Sequence, residues 1–232
     1  YILGNKIGIV GDEESERIIL EYRNKIKNKY WRNISKNKLL NGIYEDDPDK
    51  DIRIDLTKDK DIFCISIDPK SSEDIDDCLH YKKVNEGFEI GIHIADVSSY
   101  IKKESELDKI IFERGETKYF PWKICHMLPK NLSTDIISLR AKKKKKRAIS
   151  LIIKFNNNYK ILSCEIIKSL IINRRELSYE DADLKRLDFI KKGKVNNYID
   201  IGELIQNLFE SGYKIMEKRK MNLLVSIFGE GI

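Results

Sequence analysis

Ile62-Phe63-Cys64-Ile65-Ser66-Ile67-Asp68-Pro69-Lys70-Ser71-Ser72-Glu73-Asp74-Ile75-Asp76-Asp77 is the stretch from which the rest of the chain can be read. Its first six residues are mostly apolar and partly β-branched, the composition of a short buried strand. Asp68-Pro69 stops that strand, because proline has no N–H for a sheet ladder. A dense acidic knot follows, spaced D-x5-D-x-D-D from Asp68 through Asp74 to Asp76 and Asp77. Ile75 and Leu79, four apart, predict a short turn anchored in the core, which would hold Asp74, Asp76 and Asp77 beside Asp68. Four close carboxylates repel one another unless a cation or protons compensate. Hard oxygen donors suit Mg2+ or Mn2+. Two such ions about 3.5–4 Å apart can activate a water and stabilise the leaving oxygen of a phosphodiester. A calcium-binding EF-hand loop does not fit: its third position would be Lys70, its sixth Glu73 in place of glycine, and its twelfth Leu79 in place of glutamate. A solvated turn is the plainer reading of the acids, and the apolar flanks argue against it.

The acids sit in a basic chain. Lys plus Arg number 44 against 38 Asp plus Glu, a formal net charge of +6 over 232 residues. Residues 140–147 hold seven bases and no acid: Arg140, Lys142, Lys143, Lys144, Lys145, Lys146 and Arg147. An acidic knot within a basic protein suggests a cation site on a phosphate-attracting surface. The basic run reads first as a solvated loop tip or a lysine-biased composition, second as a contact for an RNA backbone, and last as a nuclear-import patch. A hydrophobic fraction of 41% excludes a wholly disordered chain, and 12 Gly with 4 Pro exclude a collagen-like one. No apolar run approaches the roughly 18–20 residues that cross a bilayer, and no signal peptide is visible, so the expectation is an intracellular protein without membrane contact, cytoplasmic or nuclear. The chain opens on Tyr1 rather than Met, which reads as an excerpt. Cys64, Cys78, Cys125 and Cys164 make no C-x-x-C pair. A reduced compartment is the simpler reading, and short paired ligand spacing for zinc is missing.

Outward from the knot, residues 12–28 predict a helix capped by Asp12, and residues 33–60 a polar connector with the turn cluster Asp46-Asp47-Pro48-Asp49. Residues 88–94 alternate as a second strand. Residues 104–114 read as a helix, with Ser105 as a cap and Gly115 as a stop. Strand runs at 149–155 and 160–167 flank Asn156-Asn157-Asn158, a hairpin signal. Residues 178–192 and 199–221 read as helices, the first opening on a capping box at Ser178 to Asp181.

The segment from Ser66 to His80 resembles the signature of the RNase II family, the RNB domain of bacterial RNase II and RNase R and of eukaryotic Dis3-type exosome nucleases. Further blocks agree in order: Arg53-Ile54-Asp55-Leu56, then Ile90-Gly91-Ile92-His93-Ile94-Ala95-Asp96-Val97-Ser98, then Arg114-Gly115 to Tyr119-Phe120-Pro121. Met127-Leu128-Pro129, Ser138-Leu139-Arg140, and Arg175 with Leu177-Ser178-Tyr179-Glu180 follow. The resemblance is clear from about residue 53 to 180 and weak beyond.

That resemblance implies an α+β fold of mixed sheets with surrounding helices, a truncated RNB catalytic-domain fold. Residues 1–52 would be an N-terminal helix and connector, and 53–232 the first half of the catalytic domain. It implies a processive 3′→5′ exoribonuclease releasing nucleoside 5′-monophosphates from single-stranded RNA, with Asp68, Asp74, Asp76 and Asp77 around Mg2+ or Mn2+. Asp76 matches the carboxylate whose loss abolishes activity. Tyr119 matches an aromatic that contacts the 3′-terminal nucleotides, and Arg140 and Arg147 are candidate substrate-binding residues. His93 and Asp96 read as structural. Exosome subunits are possible partners by the same resemblance. Two rivals stay open: a catalytically impaired RNA-binding or exosome-associated subunit, and a metallo-phosphoesterase that converged on the knot. The family's stacking aromatic, phosphate-binding arginine and additional acid from the second half of the domain have no counterpart here.

Overall fold

The computed structural model describes residues 41–120, 123–193 and 199–228. The expected helix at 12–28 and the start of the connector lie outside the described residues. The chain divides into two compact units, Tyr1–Asp46 with Tyr100–Lys130, and Asp47–Ser99 with Asn131–Ile232.

The second unit is built on a seven-stranded mixed sheet. Its strands are β1 (Ile54–Asp55), β2 (Cys64–Asp68), β3 (Asp77–Val84), β4 (Gly87–Ala95), β7 (Lys146–Asn156), β8 (Ile161–Ile171) and β9 (Asn173–Ser178). Their spatial order is β1-β8-β7-β4-β3-β2-β9. The two edge pairs, β1 with β8 and β2 with β9, are parallel, and the pairs between them are antiparallel. Two hairpins explain the long central pairs. β3 turns into β4 with Val84 opposite Gly87. Gly87 has φ +156°, and a Cβ there would stand 2.0 Å from the Phe155 carbonyl oxygen, so no other residue fits. β7 turns into β8 at Asn156, whose side-chain oxygen accepts from the Asn158 and Lys160 amides at 2.9 and 3.0 Å, an Asx arrangement that fixes the turn.

Helices α2 (Tyr179–Lys192) and α3 (Ile201–Phe228) cover one face of this sheet. Ile65 and Leu177 pack there with Ala182, Leu204 and Ile205. Phe88, Ile90 and Phe155 form a second cluster, against which Tyr81, Leu208 and Ile215 pack. The Tyr81, Phe88 and Phe155 rings stack with centroids 5.4 and 5.1 Å apart, an arrangement that adds to the burial of their apolar area.

The opposite face carries the other half of the alternation and is polar at its centre. Ser66, His80, Glu89, His93, Ser150, Ser169 and Asn173 are all buried there. Segment 137–141 lies against it: Asn173 Nδ2 donates to the Leu139 carbonyl at 2.8 Å, and the Leu139 amide donates to the Ile75 carbonyl at 2.8 Å. A buried polar face is tolerated only when its groups find partners.

In the other unit, α1 (Glu106–Arg114) is capped by Ser105, whose Oγ accepts from the Asp108 amide at 3.1 Å, and is closed by Gly115 at φ 71°. Leu107 is its buried residue. Strands β5 (Lys118–Phe120) and β6 (Lys123–Cys125) form a two-stranded pair with Tyr119 opposite Ile124. Among the described residues, no helix is long and apolar enough to cross a membrane.

The predicted strands at 62–67, 88–94, 149–155 and 160–167 are present, each shifted or lengthened by a few residues. Leu79 does not anchor a turn with Ile75. It lies inside β3, paired with Ile92, while Ile75 is buried in the loop before it. The ladder with β4 extends back to Asp77 and overrides the local turn signal.

Candidate active site

The acidic knot spans the β2–β3 connection. Asp68 ends β2, Asp77 begins β3, and Asp74 and Asp76 lie in the loop between. The loop is pinned at Ile75. Its side chain is buried, its amide donates to Ser138 Oγ at 2.8 Å, and its carbonyl accepts from the Leu139 amide. The Asp76 carbonyl accepts from the Ala95 amide at 2.9 Å, tying the loop to the end of β4. Arg140 braces the other half by donating to the Glu73 carbonyl at 3.0 Å.

Asp68 and Asp76 feel the charges of their neighbours. Burial raises the Asp68 pKa above the usual aspartate value; a hydrogen bond with Ser66 opposes the rise, and the charges of Asp77, Asp76 and Glu176 add to it. Burial also raises Asp76, which keeps solvent access, and Asp74 and Asp77 add to that shift. Asp68 Oδ2 is buried without a hydrogen-bond partner. An unpartnered buried carboxylate oxygen costs about 1–3 kcal/mol or more, and a cation is the usual remedy. Among the described residues, no three of these carboxylates bring oxygen atoms within 4.8 Å of one another. They form a loose electrostatic group rather than a closed cage, a spread that like-charge repulsion favours. The donor set still fits a hard divalent cation: every donor is an oxygen, and one is buried without a partner.

Sequence reading missed Glu176. It sits on β9 opposite Ser66 of β2, accepts from the Ala141 amide, and pairs with Arg140 at 3.0 Å. Only the parallel β2–β9 pairing brings it to the knot, and local sequence carries no signal for that pairing.

The basic run is more committed than its composition implies. Arg140 is held by Glu176 and the Glu73 carbonyl. Arg147 donates to the Ser99 carbonyl at 2.6 Å and lies 3.7 Å from Asp47, with 16% of its side chain exposed. Lys146 is buried and donates to the Asp135 and Ile136 carbonyls. Lys142 pairs with Asp135 at 2.7 Å and Lys145 with Asp55 at 2.6 Å. Lys143 and Lys144 are exposed. Tyr119 is 71% exposed on β5 of the other unit.

His93 and Asp96 have the structural surroundings expected of them. Asp96 is fully buried and accepts from Arg53 Nη2 at 2.9 Å and from Ser98 Oγ at 2.8 Å. Arg53 also binds Asp47 at 2.5 Å and the Ala148 and Ser169 carbonyls at 3.3 and 3.2 Å. His93 bridges His80 at 2.8 Å and Ser150 at 2.6 Å. Burial, then the neighbouring His80, pushes its pKa down to about 3.

The RNB domain matches residues 53–227. Human exosome complex exonuclease RRP44 is 36% identical over 160 residues, covering 68% of this chain and 16% of that protein. Ribonuclease R of Aquifex aeolicus is 34% identical over 148 residues, 62% of this chain and 20% of that protein. This chain thus spans about a fifth or less of these relatives' length. Among solved structures, Mycoplasma genitalium RNase R in complex with double-stranded RNA superposes with a TM-score of 0.58 at 22% identity, covering 84% of this chain and 31% of that one. Yeast Ssd1, described as a pseudonuclease, gives 0.57 at 21% identity over 70% of this chain and 19% of its own. At those identities the likeness is one of fold: the same mixed sheet with helices. The match over residues 53–227, with the ordered motifs and the acidic knot at the head of the sheet, settles the relationship: this chain belongs to the RNB-domain family.

Proposed function

We propose that the chain carries the metal-binding part of a processive 3′→5′ exoribonuclease that hydrolyses single-stranded RNA to nucleoside 5′-monophosphates. The supporting observation is the knot itself: Asp68 and Asp76, held above the usual aspartate range by burial and then by neighbouring carboxylate charges, with Asp68 Oδ2 buried and unpartnered. Asp68, Asp74, Asp76 and Asp77 would hold Mg2+, which when bound supplies Lewis-acid polarisation of the scissile phosphate. Mn2+ suits the same oxygens. Asp68 is the anchored member, fixed at the end of a core strand. Arg140 acts on the loop from behind, through Glu176 and the Glu73 carbonyl. Tyr119 offers an exposed ring for stacking on a terminal base, a sequence-tolerant grip, and Lys143 and Lys144 offer charge to the RNA backbone. Exosome subunits are partners by analogy with relatives named for that complex.

The second reading is an RNA-binding subunit with impaired catalysis. The spread of the carboxylates favours it, since no three approach within 4.8 Å. One assay separates the two. The chain is incubated with 5′-labelled single-stranded RNA and Mg2+, beside Asp76→Asn. Stepwise shortening from the 3′ end that Asp76→Asn abolishes supports the nuclease. Retention of RNA without shortening supports the second reading. Equal shortening of a DNA strand would mean that the site does not read the ribose 2′-hydroxyl and would overturn the RNA-specific reading.

A further inference from the structure

The buried polar face contains a second cluster of metal-ligand type, remote in kind from the oxygen donors of the knot. Cys64 Sγ, a ring nitrogen of His80 and a ring nitrogen of His93 all lie within 4.8 Å of one another, and all three residues are buried. The sheet register makes the cluster. Ile65 pairs with Leu79, which sets Cys64 across from His80; His80 pairs with Gly91, and His93 with Cys78. These residues alternate onto one face of three adjacent strands.

Three features go beyond proximity. His80 Nδ1 and His93 Nε2 face each other at 2.8 Å. Their far nitrogens each have an oxygen partner: His80 Nε2 meets Glu89 Oε1 at 3.2 Å, and His93 Nδ1 meets Ser150 Oγ at 2.6 Å, with Ser169 Oγ 2.6 Å further on. Imidazoles that ligate metals are oriented in this way, with the distal N–H given to a carboxylate or another oxygen. Gly91 leaves room where the two rings meet, because a Cβ there would lie 2.1 Å from His80 Cε1, 2.2 Å from Nδ1 and 2.9 Å from His93 Nε2.

We propose that Cys64, His80 and His93 form a buried site for a borderline divalent transition metal, Zn2+ in the first instance. One thiolate and two imidazoles are its preferred donor types. A tetrahedral ion with Zn–N of about 2.0–2.1 Å sets two imidazole nitrogens about 3.3 Å apart, so the 2.8 Å pair opens by about half an ångström. Loading removes the proton from Cys64 Sγ to solvent. The proton shared between the two rings moves to His93 Nδ1, which then donates to Ser150, while Ser150 turns to donate to Ser169. His80 keeps its Nε2 proton on Glu89. No oxidant or reductant is involved. Three protein donors leave the fourth tetrahedral position to a water carried in with the ion; because the ligands are buried, the ion enters as the sheet forms, and metal uptake is coupled to folding. Chain spacing did not reveal it: His80 and His93 are 13 residues apart, and only strand pairing makes them neighbours.

The full chain is expressed with zinc in the medium and its metal content measured after dialysis against Mg2+. It is also unfolded with a chelator and refolded with Co2+. One equivalent of zinc, and a thiolate-to-cobalt charge-transfer band with the visible bands of tetrahedral Co2+, are expected. Cys64→Ser should lose the band and lower metal content at least about tenfold. Asp76→Asn and Cys78→Ser should retain both. A folded wild-type chain without transition metal and without the band on refolding overturns the proposal, as does a band that survives Cys64→Ser. The wild-type measurements stand by themselves should a variant fail to fold.

Discussion

Arg53 shows how a single buried charge organises this fold. Its side chain is 1% exposed, yet it meets Asp96, Asp47 and two carbonyl oxygens. Removing one partner of such a group leaves an uncompensated buried charge, which is far costlier than the pair is stabilising. Asp47 is the titratable end of this network. Burial alone would raise its pKa, but hydrogen bonds from Arg53 and the Asp49 amide, with the charges of Arg53 and Arg147, hold it below the usual 3.8. The native state therefore binds fewer protons at Asp47 than the unfolded chain between those two values. The stabilisation is fully present above pH 3.8 and is lost as pH falls through the lower, folded value. Asp47→Asn should be less stable than wild type by about 1–3 kcal/mol at pH 7, with the gap narrowing in acid. Urea unfolding midpoints at pH 7 and across the acid range would show this. A gap that stays constant into strong acid would remove Asp47 from the linkage.

At the level of elements, β9 is the least self-evident strand and the most consequential. Asn173-Arg174-Arg175-Glu176-Leu177-Ser178 has little β-propensity, and its existence depends on parallel pairing with β2. The strands at 62–67 and 88–94 and the Asn156 hairpin were legible because apolar alternation and turn chemistry are local. So was the cap at Ser105. β3 was not, because its inward positions are Cys78 and His80, which do not read as core in a one-dimensional pattern. The acids of the knot were legible as a motif, but Glu176 and the Cys64–His80–His93 cluster exist only through register. Ser178 couples β9 to α2. It ends the strand opposite Asp68, and its Oγ accepts from the Asp181 amide at 3.0 Å to cap the helix. Ser178→Ala should destabilise the chain by about 0.5–2 kcal/mol. Increased amide exchange confined to the first turn of α2 and to β9 would locate the effect. Exchange unchanged there would mean that the tertiary contacts of Ala182 and Leu177 hold the junction without the cap.

Across the whole molecule, stability and proposed function pull in opposite directions at the head of the sheet. The helices bury Ile65 and Leu177 on one face, and the polar face closes through hydrogen bonds, so the β2–β3 connection is rigidly set. That rigidity prevents Asp68 from relaxing away from Asp76 and Asp77, and its unpartnered oxygen is the residue of the conflict. A net charge of +6 does little to relieve it, because Arg140, which braces the loop, is spent on Glu176 and the Glu73 carbonyl. Asp76→Asn removes one source of repulsion without changing the shape of the side chain. In chelator, the variant should therefore be more stable than wild type, by up to about 1 kcal/mol once solvent screening of this exposed group is allowed for. In Mg2+ the order should reverse, because a cation bound only by the native wild-type knot adds stability by mass action. Thermal midpoints of the two proteins, with chelator and with increasing Mg2+, would cross. Parallel curves would mean that the acids gather no cation, and a variant less stable than wild type in chelator would mean that they do not strain the fold.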